Sequence, residues 1–411
     1  MRALARTANH VSDSVSGVRF FNPRSLLFAH IRLLDRPRLM SNIVKSKSYA
    51  NIPFNQITTR RKFLTGLALT GGSVLLAGCG GGSDGASGSS AVVNDQATAA
   101  AAVTPTVVVN ASTFGVKADG NTNDRVALQN AINGSVGKIL LISGQVRIDV
   151  AGLDLKTNSY VRFAQGATIK LLPHNSTFYQ VMRIWDVQNV TVENATLDGS
   201  KELNSATPNA NSGGGGMGFS IAGATNVTLT APTTINTWGD GIYIANSYSS
   251  KKTVPSNINV AQHVANGCRR QGVSIISGNG ITFTSPLWEN IAGTNPSAGL
   301  DIEPNSNADV LQNIKIISPT TRNCQFGIDI YLAALPGPIA KTVTIDISNH
   351  TDYAASHVGF NVSGLHLNGN TVTGHIASNS PTFVGSKVGY ALGGYDMAGP
   401  SVEVTNITKT K

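Results

Sequence analysis

Asp301, Glu303 and Asp329 are the residues of this 411-residue chain whose types and spacing could do chemistry together. Asp301 and Asp329 each sit in the middle of an apolar triplet, Leu300-Asp301-Ile302 and Ile328-Asp329-Ile330, and Glu303 lies two residues beyond Asp301. Carboxylates held close together cannot all ionise easily, so one is pushed toward its neutral form and the group titrates as a unit. A neutral carboxyl group can protonate a glycosidic oxygen while a neighbouring carboxylate attacks the sugar or activates water. A separation of about 5 Å suits retention and about 6.5–9.5 Å suits inversion; these three acids straddle both. A plainer reading stands beside this one. Outward acids are the ordinary choice for a solvated face, and Arg269 or Arg270 could neutralise Asp301 or Glu303 in an ion pair contributing about 0–1 kcal/mol. Aligned aspartates repel, however, which a purely structural ladder would avoid.

What would bring these acids together is a repeat. The pattern apolar–x–apolar, usually just after glycine, recurs at Met182-Arg183-Ile184, Phe219-Ser220-Ile221, Ile242-Tyr243-Ile244, Val273-Ser274-Ile275, the two aspartate triplets, Phe360-Asn361-Val362 and Tyr390-Ala391-Leu392. Successive copies are 23 to 37 residues apart, and a second short apolar strand, such as Val190-Thr191-Val192 or Ile258-Asn259-Val260, follows within most of them. Short strands at a near-constant period, separated by turn residues, are the signature of a solenoid. The spacing is shorter than the roughly 40–50 residues of a β-propeller blade. The expected fold is all-β: a right-handed, single-stranded parallel β-helix over residues 107–411. Strand alternation turns the triplet flanks inward and the middle residue outward, giving one column: Arg183, Ser220, Tyr243, Ser274, Asp301, Asp329, Asn361, Ala391. The acids would then be bordered by Tyr243, Ser274, Tyr331 and Asn361. Cys268 and Cys324 fall two coils apart, about 9–10 Å, beyond the roughly 7 Å a disulfide spans, so both should be free buried thiols.

The formal charge of +9 looks like a nucleic-acid signal until it is divided. Residues 1–78 carry 12 Lys/Arg against 2 Asp/Glu, and residues 79–411 carry 19 against 20, so the body is near neutral and nucleic acid is not implied. Within 1–78, Thr59-Arg60-Arg61-Lys62-Phe63-Leu64 reads as a twin-arginine pattern, followed by an apolar stretch to Leu76 and a lipobox, Leu76-Ala77-Gly78-Cys79. Residues 1–78 are therefore expected to be a leader, and Cys79 a lipidated first mature residue that tethers the protein to a membrane. Met40 would give an n-region of normal length, and residues 1–50 receive no function. Residues 79–106, rich in Gly, Ser and Ala, read as a flexible tether. The expected location is the periplasm or outer membrane, with surface exposure open.

Phe114-Gly115-Val116-Lys117-Ala118-Asp119-Gly120-Asn121-Thr122-Asn123-Asp124, with Ala127-Leu128-Gln129-Asn130-Ala131-Ile132, resembles the opening of pectate-lyase-superfamily β-helix proteins. The resemblance implies a short amphipathic helix that Asp124 caps, with Val126, Ala127, Leu128 and Ile132 covering the open end of the solenoid. Cys268-Arg269-Arg270-Gln271-Gly272-Val273-Ser274-Ile275-Ile276 and Gly299-Leu300-Asp301-Ile302-Glu303-Pro304-Asn305 also resemble segments of that superfamily, many of whose members act on polysaccharides. The Gly-His-Gly and Arg-x-Lys signatures of its polygalacturonases are absent, and Trp238-Gly239-Asp240-Gly241 matches the Gly-Asp-Asp region only loosely. That family's catalytic residues are therefore not carried over.

Function is read as polysaccharide cleavage, with Asp301, Glu303 and Asp329 catalytic and Arg269, Arg270, Tyr243, Ser274, Tyr331, Asn361, Asp240 and Trp238 binding substrate. Hydrolysis leads, with no cofactor. The alternatives are β-elimination or uronate epimerisation, where Arg269 or Arg270 would neutralise a C6 carboxylate, a tyrosine would move the proton and the acids could hold Ca²⁺; and a non-catalytic glycan-binding or envelope-structural solenoid. Trp288 suits either a sugar platform or the core. The histidines, with no helical i, i+4 pair, are expected at surfaces and turns.

Overall fold

The computed structural model describes residues 105–206 and 215–411. The expected leader, with Cys79, and all but the end of the tether lie outside the described residues. The chain winds in right-handed coils through three parallel sheets of eleven, eleven and nine strands, the first and last coils contributing only to the first two. One complete turn runs from Thr225–Thr230 in the first sheet to Thr233–Ile235 in the second and Asp240–Ala245 in the third, before Ser256 re-enters the first.

Local chemistry sets each corner. The short strands of the second sheet end on Asn236, Asn290 and Asn323, with φ near 51°, 56° and 53°. Asparagine accepts this left-handed conformation more readily than most side chains because its amide can bond locally. Here the amides also bond between coils: Asn323 Nδ2 donates to Asn290 Oδ1 and Asn290 Nδ2 to Asn266 Oδ1, each at 3.1 Å.

Inside, alternation stacks like on like. Ile242 and Ile244, Val273 and Ile275, Leu300 and Ile302, and Ile328 and Ile330 pair in register and are fully buried. Each such side chain contributes about 1.5–3 kcal/mol on burial. The three-residue strands of the second sheet point only their middle residue inward, giving the column Leu197, Thr234, Ala265, Trp288, Thr321, Asp352, Phe383.

Glycine precedes most triplets for a steric reason. A Cβ on Gly241, Gly272, Gly299 or Gly327 would stand 2.6, 2.5, 2.8 or 2.4 Å from the carbonyl oxygen of the glycine one coil on. No side chain fits at the second position of these third-sheet strands, and this column lets adjacent coils close.

The Arg125–Gly134 helix covers the N-terminal end with Leu128, Ala131 and Ile132. Two expectations about it need correction. Val126 is 58% exposed, because it lies off the buried stripe. Asp124 stands at the N-cap position but makes no capping bond. Its carboxylate instead accepts the amides of Lys117 and Ala118, both at 2.8 Å, closing the entry turn. The histidines also divide: His366 is exposed and His375 half-buried, whereas His263 and His350 are completely buried in the solenoid interior. Each of the latter follows a left-handed corner residue, Gln262 or Asn349, and that corner turns its side chain inward.

Candidate active face

The outer face of the third sheet carries the acids. Its register runs Arg183, Ser220, Tyr243, Ser274, Asp301, Asp329, Asn361, Ala391, the column expected from the triplets. Asp301 and Asp329 are therefore direct neighbours, about 4.8 Å apart at the backbone. Each is oriented by an amide from the adjoining coil. Gln271 Nε2 donates to Asp301 Oδ2 at 2.9 Å, and Gln271 Oε1 accepts the Ala298 amide at 2.8 Å, which fixes the side chain. Asn361 Nδ2 donates to Asp329 Oδ1 at 2.8 Å and lies 3.2 Å from Ser363 Oγ.

The face is more enclosed than outward alternation implies. Asp301 is 2% exposed and Asp329 5%, whereas Glu303, Tyr331, Asn361 and Ser363 are half-buried. In the 303–310 connection, Asn305 Nδ2 reaches Tyr243 Oη at 3.5 Å. Asp309 ties this loop down, accepting the amides of Asn305 and Ser306 at 2.9 and 2.8 Å and the Asn246 side-chain amide at 2.8 Å. Burial raises the Asp309 pKa against those bonds. Burial likewise pushes the Tyr243 phenol above its usual range.

The arginines part company. Arg270 forms a two-pronged ion pair with Asp240, Nε to Oδ1 and Nη2 to Oδ2 each at 2.6 Å, and Nη2 lies 3.4 Å from Ser274 Oγ. Asp240 is fully buried, so it serves as the counter-ion of Arg270. Burial works against the Arg270 charge, but the Asp240 carboxylate outweighs it and raises the guanidinium pKa, with smaller help from Tyr243 and Asp301. Arg270 thus crosses the face as a permanent cation beside Ser274, its salt bridge made to Asp240. Arg269 turns to the corner instead, its guanidinium 4.7 Å over the Trp238 ring and its Nε 3.1 Å from Trp238 O. Trp238 is 3% exposed, and the structure brings neither residue to the acids. Trp288 belongs to the core. Cys268 and Cys324 are free and buried, and burial raises their thiols to about 11 and about 12.

Sequence reasoning missed Gln271, Asn305 and Asp309. Gln271 had a signal, since it holds the register position of Asp240 one coil on. It also missed an aromatic pair nearer the N-terminus, Trp185 and Tyr248, whose rings meet edge to face at 4.9 Å. Trp185 Nε1 donates to Ser220 Oγ at 2.9 Å, so the pair sits on the same face as the acids. Among the described residues, no group of three or more His, Cys, Asp and Glu is placed to hold a metal ion.

No family model matches the chain. It is similar to the uncharacterized Bacillus subtilis protein YclG, 24% identical over 229 residues, which cover 49% of this chain and 39% of that one. The chain thus matches about two-fifths of that relative's length. Among solved structures it is similar to the A-module of the Azotobacter vinelandii mannuronan C-5 epimerase AlgE6 (16% identity, 73% of this chain and 98% of that one, TM-score 0.45). It is also similar to the Streptococcus pneumoniae surface adhesin PfbA (11%, 74% and 93%, TM-score 0.43) and to a Thermotoga maritima exopolygalacturonase (16%, 74% and 93%, TM-score 0.38). With TM-scores of this size, the fold stands on the strand register itself.

Proposed function

We propose that this chain is an exported, lipid-anchored β-helix protein that cleaves a polysaccharide by glycoside hydrolysis, with Asp301, Glu303 and Asp329 as the reacting carboxylates. The observation that carries the reading is the register of Asp301 on Asp329, each held by an amide from the next coil. Two adjacent carboxylates in an enclosed face favour one shared proton, which supplies the acid that protonates the leaving oxygen. Glu303, less buried than the two aspartates, would activate water or act as nucleophile. Arg270, Tyr331, Asn361 and Ser274 would bind the sugar around them, with Tyr243 and Asp240 behind as support.

The test is a screen of acidic and neutral polysaccharides, read by released reducing ends and by ultraviolet absorbance. Asp301→Asn, Glu303→Gln and Asp329→Asn should each lower turnover by about 10²–10⁴-fold while circular dichroism and melting stay unchanged. Full activity in all three variants would sink the assignment. A second reading, β-elimination, is favoured by Arg270, a cation held across the face beside Ser274. Elimination leaves a C=C bond conjugated to the carboxylate, so absorbance rises; hydrolysis gives none. Glycan capture with no new reducing ends and no absorbance would assign a binding solenoid instead.

A further inference from the structure

We propose that the corner between the second and third sheets, at Lys201, Trp238 and Arg269, is an anion-binding site separate from the acid face, taking the oxygens of a carboxylate, sulfate or phosphate group. Successive coils meet there. Lys201 opens the Lys201–Leu203 turn, and its Nζ donates to the Gly267 carbonyl two coils on. Arg269 lies in the turn after Gly267, stacked on Trp238 and donating to Trp238 O and to Thr294 Oγ1 from the following coil. Every one of these partners is neutral.

The neighbouring acids are all engaged elsewhere. Asp198 and Glu202 pair with Lys170 at 2.9 and 2.5 Å, Asp240 with Arg270 at 2.6 Å, and Glu289 with Arg322 at 3.2 Å. Among the described residues, neither Lys201 nor Arg269 has a carboxylate within 4.0 Å. The Trp238 indole N–H is buried there with no acceptor among the described residues. The corner therefore gathers donors and positive charge, with Arg269 only 5% exposed, and leaves them without an acid. Burying like charges without a counter-ion is costly, and a guanidinium fork beside an ammonium and an indole N–H is a geometry that oxyanions fill. Burial lowers the Lys201 pKa, with Arg269 adding to the effect, and burial with Arg270 lowers that of Arg269, so both cations bear the strain an anion would relieve.

The anion could be free or carried on a glycan, and melting of the full chain separates the sources. Phosphate, sulfate and a uronate oligosaccharide are each compared with chloride at matched ionic strength. The bound anion should raise the melting temperature beyond chloride, and Arg269→Gln and Lys201→Gln should abolish that excess. A shift from phosphate or sulfate identifies a free anion; a shift from the oligosaccharide alone identifies an acidic sugar. Sulfate stabilises proteins generally through exclusion, so the comparison of variant with parent is what counts. No excess over chloride in the parent, or an excess that both variants keep, would overturn the site. Asp301→Asn should leave the shift intact, so this result stands or falls apart from hydrolysis.

Discussion

Two stations in the solenoid interior have the same layout and different solutions. At the first, Thr234 Oγ1 lies 2.8 Å from His263 Nε2, and the Trp288 indole N–H donates to His263 Nδ1 at 3.1 Å. An indole can only donate, so the neutral His263 carries its proton on Nε2 and donates to the threonine. At the second, Thr321 Oγ1 lies 2.8 Å from His350 Nε2. The residue one coil beyond is Phe383, which meets the imidazole edge on at 6.0 Å, and Nδ1 is buried without a partner among the described residues. Where the first station has Ala265, the second has Asp352, whose Oδ1 accepts from Thr321 at 2.6 Å and whose Oδ2 accepts from Ser386 and, at 3.3 Å, from the Ala355 amide. The carboxyl fits because Gly327 and Gly359 lack a Cβ, which would stand 2.6 and 3.0 Å from its oxygens. In a solenoid a buried polar group must be satisfied by the neighbouring coil. The second station lacks the indole N–H and adds, at a different position, a group that titrates.

The largest expected effect comes from making the first station resemble the second. Trp288→Phe removes the donor to Nδ1 and opens space in the core, and should cost about 2–4 kcal/mol in chemical denaturation. A loss below about 1 kcal/mol would mean the indole bond is not what distinguishes the stations. Next is pH. Burial lowers both histidines to about 3, so their stabilisation is complete above the unfolded value of 6.5 and is lost as pH falls toward 3. From pH 6.5 to 5 each should cost about 1.6 kcal/mol. Asp352 acts in the opposite sense. Burial raises its pKa, so its contribution is complete below 3.8 and is lost as pH climbs through the folded value. Melting of Asp352→Asn should therefore fall more steeply on acidification than the parent, and an unchanged pH profile would break the contrast. The smallest effect is a gain. Phe383→Trp offers His350 Nδ1 the missing donor and should add about 1 kcal/mol, whereas a loss would show that the second station has no room for the larger ring.

The sequence carried the backbone of this fold because a one-residue slip would turn every triplet inside out, so the register of Asp301 on Asp329 could be read from Leu300, Ile302, Ile328 and Ile330. The corners were opaque for the converse reason. His263 and His350 look like surface residues until the left-handed Gln262 and Asn349 swing them inward. The same holds for Arg269 and Arg270, adjacent in sequence: a corner sends one to Trp238 and the other across the face to Asp240. The anchoring of the 303–310 loop by Asp309 was also not legible, since a loop has no periodicity to read.

The glycine column divides the coil into what must stay and what is free to vary. At Gly272, Gly299 and Gly327 even a methyl group would strike the next carbonyl, whereas two residues on, at Ser274, Asp301 and Asp329, three different side chains occupy one backbone geometry. The reacting groups can therefore be exchanged without disturbing the winding. A coil, from one such glycine to the next, is the natural cassette for grafting a different chemistry onto this surface.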